Sequence, residues 1–307
     1  MLVNICMITY NHEAYIAQAI ESILMQITSF DTRLIIGEDC GRDGTRRICM
    51  EYAERYPDKI TLIPATENVG MLQNFHRTYR ACTGKYIAFC EGDDYWTDEH
   101  KLQKQVDFLE NNPSYSSCFH KVKLRTERNA GGGKEWIMHS SFEKDTFDTK
   151  DLLGPWFIAS PSFVFVNYPD LELPDWFFNC RFGDLPFMLF LSLRGNIKLI
   201  DEVMAVYRQH DQGMSIAYKV YDKVMVMIYI YASFDIHTNY KFHETIRNSV
   251  KFEVDTHIPP RIVQAPTLWQ KFIERLKPAY SYLRRVLKLN DKKAAVAPSS
   301  PTRHYAP

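Results

Sequence analysis

Residues 84–96 read GKYIAFCEGDDYW. The apolar run Lys85–Cys90 is typical of a buried strand, because it is short, continuous and bounded by turn-forming residues. It ends in three acids, Glu91, Asp93 and Asp94. Carboxylates this close repel one another unless a cation lies among them. Mg²⁺ or Mn²⁺, held by one or two carboxylates and by phosphate oxygens of a substrate, is the usual cation. A solvated acidic turn before the next helix is the alternative.

Short apolar runs alternate with amphipathic helices through residues 1–120. The predicted strands are Val3–Ile8, Arg33–Ile36, Ile60–Ile63 and Lys85–Cys90. The predicted helices begin at the N-cap Asn11, at Asp43, at Met71 and at the cap Thr97. This alternation predicts βαβ units, and therefore an α/β fold with a mostly parallel sheet and right-handed crossovers.

The residues that follow these strands are polar or acidic in every case. They are Thr9-Tyr10-Asn11, Glu38-Asp39, the turn Asn68–Gly70 and the segment Glu91–Asp94. Open parallel sheets bind their ligands beyond the carboxyl ends of their strands. The sequence therefore predicts a polar ligand site at that edge of the sheet.

The composition excludes several classes of protein. The 307 residues include 37 Lys and Arg against 37 Asp and Glu, and zero net charge argues against a general nucleic-acid-binding protein. Seven cysteines without a CxxC pair fit a reducing compartment better than a disulfide framework or a zinc ribbon. Neither GxGxxG nor a P-loop motif occurs. The longest apolar run, Val224–Phe234, is too short to span a membrane, and the start lacks the basic region of a signal peptide, so a cytoplasmic protein is expected.

Taken in order, these segments resemble the motifs of family 2 glycosyltransferases of the GT-A fold. The similar segments are Val3–Asn11 (the opening strand), residues 36–45 (the family's D-D-x-S-x-D-G-T motif), Asn68–Gly70 (its N-x-G turn), residues 84–96 (G-x-Y-I-x-x-L-D-x-D-D-x-W), Gly183-Asp184 (a later acidic element) and Tyr207–His210 (Y-R-x-H). The resemblance runs from residue 3 to about residue 215. It implies a nucleotide-diphospho-sugar transferase fold with a Rossmann-like sheet flanked by helices.

The resemblance also implies a role for each matching residue. Thr9, Tyr10 and Asn11 would line the nucleotide pocket, and Asp39 would accept a hydrogen bond from the base. Asn68 and Gly70 would shape the pocket beside the ribose and diphosphate. Among the acids, Asp93 and its neighbour Asp94 would be the metal ligands, with Asp93 favoured, and Glu91 or Asp94 would contact the ribose or a metal-bound water. Arg208 would pair with phosphate oxygens or with a surface carboxylate, and His210 would complete the metal shell or contact the diphosphate.

Inverting sugar transfer also needs a carboxylate to accept the proton of the acceptor hydroxyl. Asp184 matches the family's base position, and Asp170, Glu172 and Asp175 are nearby alternatives. Because Asp184 is predicted to open a helix, it could instead serve as an N-cap.

Two departures from the family pattern bear on the donor. Glu91 stands where the family usually has Asp, and Gly41-Arg42 replaces a pair of small hydroxyl residues.

Residues 1–215 are expected to form the GT-A domain, with residues 1–120 binding the nucleotide sugar and residues 121–215 facing the acceptor. Later elements in this part are predicted strands at Tyr115–Leu124, Ile197–Ile200 and Val203–Tyr207 and a helix at Asp184–Arg194. Trp156 and Trp176 are better candidates than Trp96 or Phe157 for stacking on a sugar, although aromatic side chains more often belong to a core.

Beyond residue 215 the sequence predicts a helical extension to residue 290 and a disordered tail at 291–307, and earlier in the chain it predicts a mobile loop at 129–133. Residues 267–289 form a basic amphipathic helix in this interpretation. Such a helix either lies on an anionic membrane surface, on the cytoplasmic face, or packs on its own domain.

The sequence thus favours a metal-dependent inverting glycosyltransferase that uses Mn²⁺ or Mg²⁺. Its partners would be a nucleoside diphosphate sugar, with UDP as the nucleotide, and a saccharide or lipid-linked acceptor in cell-surface polysaccharide synthesis. Two alternatives stay open. A sugar-phosphate nucleotidyltransferase would also combine this fold with acids and a metal, and a non-catalytic protein could bind the nucleotide sugar without transferring it.

Overall fold

The computed structural model describes residues 2–127, 133–211, 213 and 220–257. The chain divides into two compact units, residues 1–218 and 219–307. The strands of the first unit are β1 (Leu2–Thr9), β2 (Asp31–Glu38), β3 (Ile60–Pro64), β4 (Tyr86–Phe89), β5 (Tyr95–Trp96), β6 (Tyr115–Thr126), β7 (Glu135–Met138), β8 (Thr146–Phe147), β9 (Val164–Val166) and β10 (Asn196–Gln209). Its helices are α1 (Ile16–Leu24), α2 (Thr45–Arg55), α3 (Met71–Arg80), α4 (Lys101–Asn111), α5 (Thr149–Leu152) and α6 (Asp184–Ser192).

The strands of the first unit form one sheet in the order β3-β2-β1-β4-β9-β6-β10-β5, with β7 paired to β6 and β8 to β10. The first four positions are all parallel, as the predicted βαβ units require. Beyond β4 the pairing is mixed, because β9 runs antiparallel to both β4 and β6 while β6 and β10 are parallel. The predicted α/β fold with a mostly parallel sheet flanked by helices is confirmed.

The buried side chains explain why these segments form these elements. On the central strand β1, Val3, Ile5 and Met7 of one face and Asn4 and Cys6 of the other are all buried, as expected for a parallel sheet that is covered on both faces. The helix α1 buries Ile16, Ala19, Ile20 and Ile23, the spacing of one helical face. Every residue of α6 from Leu185 to Ser192 is buried. That helix therefore runs through the interior and brings Asp184, its first residue, to the end of a buried element.

Several predicted boundaries were wrong because contacts distant in sequence decided them. The predicted strands Ile197–Ile200 and Val203–Tyr207 are one strand, β10, whose pairing with β6 shifts register between Ile200 and Val203. Helix α1 begins five residues after Asn11, the predicted cap, since the Asn11 side chain instead accepts a hydrogen bond from the N–H of Arg42. Helix α4 begins at Lys101 rather than after Thr97.

The second unit contains two described helices, α7 (Val220–His237) and α8 (His243–His257). Helix α8 buries Ile246, Val250 and Val254 on one face, and His243 is hydrogen-bonded through Nδ1 to Asp235 over 2.7 Å. Among the described residues, no helix combines the length and the apolar character that crossing a membrane requires. The predicted helix at 267–289, the tail at 291–307 and most of the loop at 129–133 lie outside the described residues.

Candidate active site at the carboxyl ends of the strands

The loops that follow β1 and β2 are cross-linked by hydrogen bonds. Asn11 Oδ1 accepts from the N–H of Arg42 at 2.7 Å, and Glu13 Oε2 accepts from the N–H of Gly44 at 2.9 Å. In return, Asp43 Oδ2 accepts from the N–H of Glu13 at 3.0 Å. Asn11 has a left-handed backbone (φ 56°), a conformation that Asn adopts more readily than most residues. These bonds fix the shape of the chain on one side of the carboxyl edge of the sheet.

Asp39, Asn68 and Gly70, all predicted to line the nucleotide pocket, are joined directly. The carboxylate of Asp39 accepts from the N–H groups of Val69 and Gly70, at 2.8 and 3.0 Å. The Asn68 side chain donates to the Asp39 carbonyl at 3.1 Å. Gly70 has φ +85°, which favours glycine. The structure therefore brings these three predicted residues together.

Glu38, the neighbour of Asp39, carries a buried charge. Its carboxylate is fully buried, pairs with Arg46 Nε at 2.5 Å and accepts from the N–H of Gly41 at 2.6 Å. A buried carboxylate needs such partners to offset its lost hydration. Glu38 therefore holds the loop after β2 in place.

Asp93 lies between two imidazole rings. His210 Nε2 is 3.0 Å from Asp93 Oδ2, and His12 Nε2 is 3.7 Å from the same oxygen. Burial alone would raise the pKa of Asp93, but the charge of His12 and the hydrogen bond and charge of His210 lower it. Asp93 is therefore ionised at neutral pH.

The chemistry of this donor set fits a divalent cation. One oxygen of Asp93 and one ring nitrogen each of His12 and His210 lie within 4.8 Å of one another. Carboxylate and imidazole are ligands that bind first-row transition metals, and carboxylate also suits Mg²⁺. In the part of the chain that the structure describes, no other group of His, Cys, Asp and Glu meets in this way.

Asp94, the other predicted metal ligand at the end of β4, is not part of this group. Its carboxyl is buried and its Oδ1 accepts from the N–H of Arg208 in β10 at 2.8 Å. Burial, and then the charges of Asp93 and Glu91, raise the pKa of Asp94 well above its ordinary value. The geometry directs one oxygen of Asp94 toward β10 and leaves Asp94 outside the group around Asp93, which favours a positioning role over the predicted metal binding.

The guanidinium of Arg208 is also engaged within the protein. It donates to the carbonyl of Asp93 at 2.7 Å and to the side chain of Gln18, and it lies over the ring of Tyr95 at 4.3 Å. Only 5% of the residue is exposed. Arg208 therefore braces the segment that carries Asp93, a role that the sequence did not predict.

Glu91 and Asp184 are two buried carboxyl groups, and the charge of Asp184 acts on Glu91. Burial, then the charge of Asp93 and, less strongly, the charge of Asp184 raise the pKa of Glu91 to about 8. Burial likewise raises the pKa of Asp184, against backbone hydrogen bonds and the indole of Trp156, which lower it. Glu91 Oε2, Asp184 Oδ1 and Trp156 Nε1 are buried, and none makes a normal hydrogen bond to a described residue.

The alternative base candidates lie on the surface, and one of the predicted sugar-stacking residues, Trp96, lies in the core. Glu172 and Asp175 are exposed, and Asp170 is paired with Arg194 at 2.7 Å on the surface. Trp96 is 1% exposed and donates its indole N–H to the Pro161 carbonyl. It therefore belongs to the core.

Of the remaining aromatic candidates, Phe157 packs among Phe119, Phe142 and Phe147, and Trp176 packs on Phe190. Trp156 lies beside Asp184 and packs edge-on against Tyr207, with 6.3 Å between the ring centroids.

Residues 4–167 match the sequence model described as "Glycosyl transferase family 2", more than half of the chain. The chain belongs to glycosyltransferase family 2. This is the family that its motifs implied.

Curated relatives agree with the family assignment. An uncharacterized protein of Mycobacterium tuberculosis is 36% identical over 218 residues, which cover 69% of this chain and 60% of that protein. This chain thus spans about 60% of the length of its mycobacterial relatives. A Bacillus subtilis protein named as the teichuronic acid biosynthesis glycosyltransferase TuaG is 33% identical over 108 residues, covering 35% of this chain and 42% of the relative.

Solved structures show the same fold at low sequence identity. S. aureus TarS (residues 1–349, in complex with UDP-GlcNAc) matches with a TM-score of 0.56 at 16% identity, covering 93% of this chain and 88% of that chain. The mannosyltransferase PcManGT of Pyrobaculum calidifontis, in complex with GDP-Man and Mn²⁺, matches with a TM-score of 0.50 at 13% identity, covering 93% and 84%.

Sequence reasoning missed His12 and Gln18, and it placed Glu38 at the predicted ligand edge without giving it a role. His12 and Glu38 lie in the segments at the carboxyl ends of β1 and β2, so their position was available as a signal. Gln18 lies on α1, and its contact with Arg208 joins residues 190 positions apart. No local pattern predicts such a contact.

Proposed function

We propose that this glycosyltransferase transfers a sugar, with inversion, from a nucleoside diphosphate donor with UDP as the nucleotide to a saccharide or lipid-linked acceptor, with the help of Mn²⁺ or Mg²⁺. One observation carries the proposal. Asp93, hydrogen-bonded to His210 at the carboxyl edge of the sheet, and Asp184 both exert their charge on the buried Glu91. Glu91 and Asp184 each have a buried oxygen without a hydrogen-bond partner among the described residues.

The donor would bind beside Asp39. Its carboxylate is oriented by the N–H groups of Val69 and Gly70 and keeps lone pairs that can accept a ring N–H of uracil. The exposed Tyr10 and the adjacent Asn11 would flank the base. UDP-GlcNAc in TarS and GDP-Man in the mannosyltransferase support a nucleotide-sugar donor.

The divalent ion would be held by Asp93 and His210. When bound, such an ion neutralises the charge that develops on a leaving diphosphate. We assign Asp94 and Arg208 to positioning, because they join the segment of Asp93 to β10 and to the side chain of Gln18.

Asp184 would accept the proton of the acceptor hydroxyl. A general base works best when its pKa lies near the working pH, and burial raises the pKa of Asp184 in that direction. Asp184 lies in the first turn of α6, but its carboxylate does not cap the helix, since the N-cap residue is Gly183. The pKa of the nearby Glu91 is also raised, and its carboxyl group would form a hydrogen bond with a hydroxyl of the donor sugar or of the ribose.

The setting that we propose is the synthesis of a cell-surface polysaccharide on the cytoplasmic side. The name of TuaG, with its link to teichuronic acid, supports this setting. Membrane contact through residues 267–289 stays a prediction.

The first experiment measures hydrolysis of a panel of nucleotide sugars, together with calorimetric titration of UDP with and without Mn²⁺. We expect UDP binding that strengthens with Mn²⁺ and slow release of UDP from one donor sugar. The proposal would be contradicted if UDP did not bind, or if its affinity were the same with and without Mn²⁺. Release of pyrophosphate from UTP and a sugar 1-phosphate would favour the nucleotidyltransferase.

The second experiment tests the base by Asp184→Asn, with Asp170→Asn as the matched control. Loss of a positioned general base costs typically about 10²–10⁴-fold in rate. We expect a loss of that order in transfer with unchanged UDP affinity. The control should keep full activity, because Asp170 belongs to a surface ion pair with Arg194. Equal activities of the two variants would remove Asp184 from the mechanism.

A further inference from the structure

We propose that His12 is a third protein ligand of the divalent ion. With Asp93 and His210 it would complete a site of two imidazoles and one carboxylate that binds a transition-metal ion without nucleotide and discriminates against Mg²⁺. Metal binding itself is a property of these three side chains. Only the use of the ion in sugar transfer rests on the proposed function.

The distances fit three ligands around one ion. From Asp93 Oδ2 the distance is 3.0 Å to His210 Nε2 and 3.7 Å to His12 Nε2. Bonds of about 2.0–2.2 Å place neighbouring ligand atoms roughly 3 to 3.5 Å apart. The separation of 3.7 Å between His12 and Asp93 is too long for a hydrogen bond. It lies just above the range for two ligands of one ion, so a small rotation of the His12 ring would bring both atoms onto a common ion.

A contact on the side away from Asp93 orients the ring of His12. Its Nδ1 lies 3.2 Å from the hydroxyl of Thr9, a residue that is 2% exposed at the end of β1, and Nε2 is thereby turned toward Asp93. The N–H of His12 donates to Thr45 Oγ1 at 2.7 Å, which fixes the backbone. Metal-binding histidines typically use their second ring nitrogen in this way.

The two imidazoles converge without stacking on each other. Their ring centroids are 6.0 Å apart and the rings are perpendicular. On its other side, His210 packs against Tyr15 at 4.8 Å between centroids. Both rings are therefore held in place around the carboxylate of Asp93, so little reorganisation is needed for binding.

The donor set determines which ion is preferred. Two imidazoles and one carboxylate, with further positions open, is a combination that Fe²⁺, Mn²⁺, Co²⁺ and Zn²⁺ accept. Mg²⁺ prefers oxygen ligands and keeps several waters. A site with only one or two protein ligands would instead depend on the diphosphate to retain its ion. His12 would therefore raise both the affinity for the metal ion in the absence of nucleotide and the selectivity for transition-metal ions over Mg²⁺.

The experiment is titration of the full chain, stripped with EDTA, with Mn²⁺ in the absence of nucleotide, followed by electron paramagnetic resonance. The variants are His12→Asn, His210→Asn, Thr9→Val and the control His100→Asn, since His100 is exposed and contacts only Glu99 among the ion pairs of the described residues. We expect at least about tenfold weaker Mn²⁺ binding in His12→Asn and His210→Asn, a smaller loss in Thr9→Val, and none in the control.

Two further readouts keep the test independent of activity and of folding. The electron spin-echo modulation from ¹⁴N should report two imidazoles bound to Mn²⁺ in the unaltered protein and one in His12→Asn. In a separate competition, Mg²⁺ at equal concentration should fail to displace Mn²⁺ from the unaltered protein. Wild-type Mn²⁺ affinity in a folded His12→Asn variant, or Mn²⁺ binding only when UDP is present, would overturn the inference. If binding depends on His12 but no donor is turned over, the proposed function fails and this inference stands.

Discussion

Two clusters of buried polar groups lie along the short segment from Glu91 to Lys101, and they differ in whether their hydrogen bonds are complete. In the core cluster, Lys101 Nζ donates to Gln105 Oε1 at 2.8 Å and lies 4.0 Å above the ring of Trp96. Gln105 donates in turn to the carbonyl of Ser162 at 2.9 Å. In the site cluster, oxygens of Glu91 and Asp184 have no such partner among the described residues.

This difference separates structure from function within one stretch of chain. Buried polar groups are usually hydrogen-bonded, and an exception calls for a ligand, a water or an ion. The core cluster satisfies itself and should matter for stability alone. The site cluster leaves oxygens open and should matter for activity alone.

The largest expected effect is that of Asp93→Ala in the site cluster. Because the change removes a carboxylate from between two imidazoles, we expect a loss of turnover of at least about 10³-fold, the magnitude of a lost charge-stabilising group. The midpoint of thermal unfolding should change little, because the lost hydrogen bond to His210 is offset by the removal of a charge that raises the pKa values of Glu91 and Asp94. Enzyme assay and calorimetry on the same sample check both. A large fall in stability would contradict the division between the clusters.

The next effect is on the pH dependence of stability, through Lys101→Met. Burial lowers the pKa of Lys101 to about 7, below its value near 10.4 in an unfolded chain. Between these values the unfolded state binds the proton and the folded state does not, so the free energy of unfolding rises with pH, by about 1.4 kcal/mol per pH unit. The destabilisation is complete below pH 7 and absent above about pH 10.4.

Denaturant unfolding at several pH values tests this expectation. The Lys101→Met variant should lose the slope contributed by this group and gain stability at pH 7, because a buried charge is often replaced by an apolar side chain without loss. If the free energy of unfolding of the Lys101→Met variant changed with pH between 7 and 10 as steeply as that of the wild type, Lys101 would be charged within the core.

A smaller loss of stability is expected from Gln105→Ala. The change leaves Lys101 Nζ and the Ser162 carbonyl without their partner, which costs roughly 1–3 kcal/mol. Activity per folded molecule should be unchanged. Denaturant titration and an assay corrected for the folded fraction measure the two quantities, and reduced activity of the folded fraction would link the clusters.

The smallest expected effect is that of Trp156→Phe, which keeps an aromatic ring but removes an N–H that lowers the pKa of Asp184. We expect the pKa of Asp184 to rise and activity near neutral pH to fall about two- to threefold, less than the loss of a full hydrogen bond would cause, because Trp156 Nε1 makes no normal hydrogen bond to a described residue. The acid limb of the kcat/KM profile should move to higher pH. A fall in activity without this movement would mean that Trp156 contacts only the sugar.

Sequence reasoning predicted the parts of the site that depend on strand order. Thr9, Asp39 and Asp93 each lie at or just after the carboxyl end of a strand, and parallel pairing of β2, β1 and β4 brings those ends to one edge. It did not predict the directions of side chains. Asp94 was expected to face the metal, but a hydrogen bond to β10 turns it toward Arg208.

The sequence by itself determined the α/β fold, the family and the segments that form the site, because apolar periodicity and the placement of polar residues after strands are local properties. Only the tertiary structure decided that His12 faces Asp93, that Trp96 is a core residue, and that β10 is one strand with shifted register. Those features depend on contacts between residues far apart in the chain. Such contacts are set by packing and by the need to satisfy buried polar groups, for which neighbouring residues carry no signal.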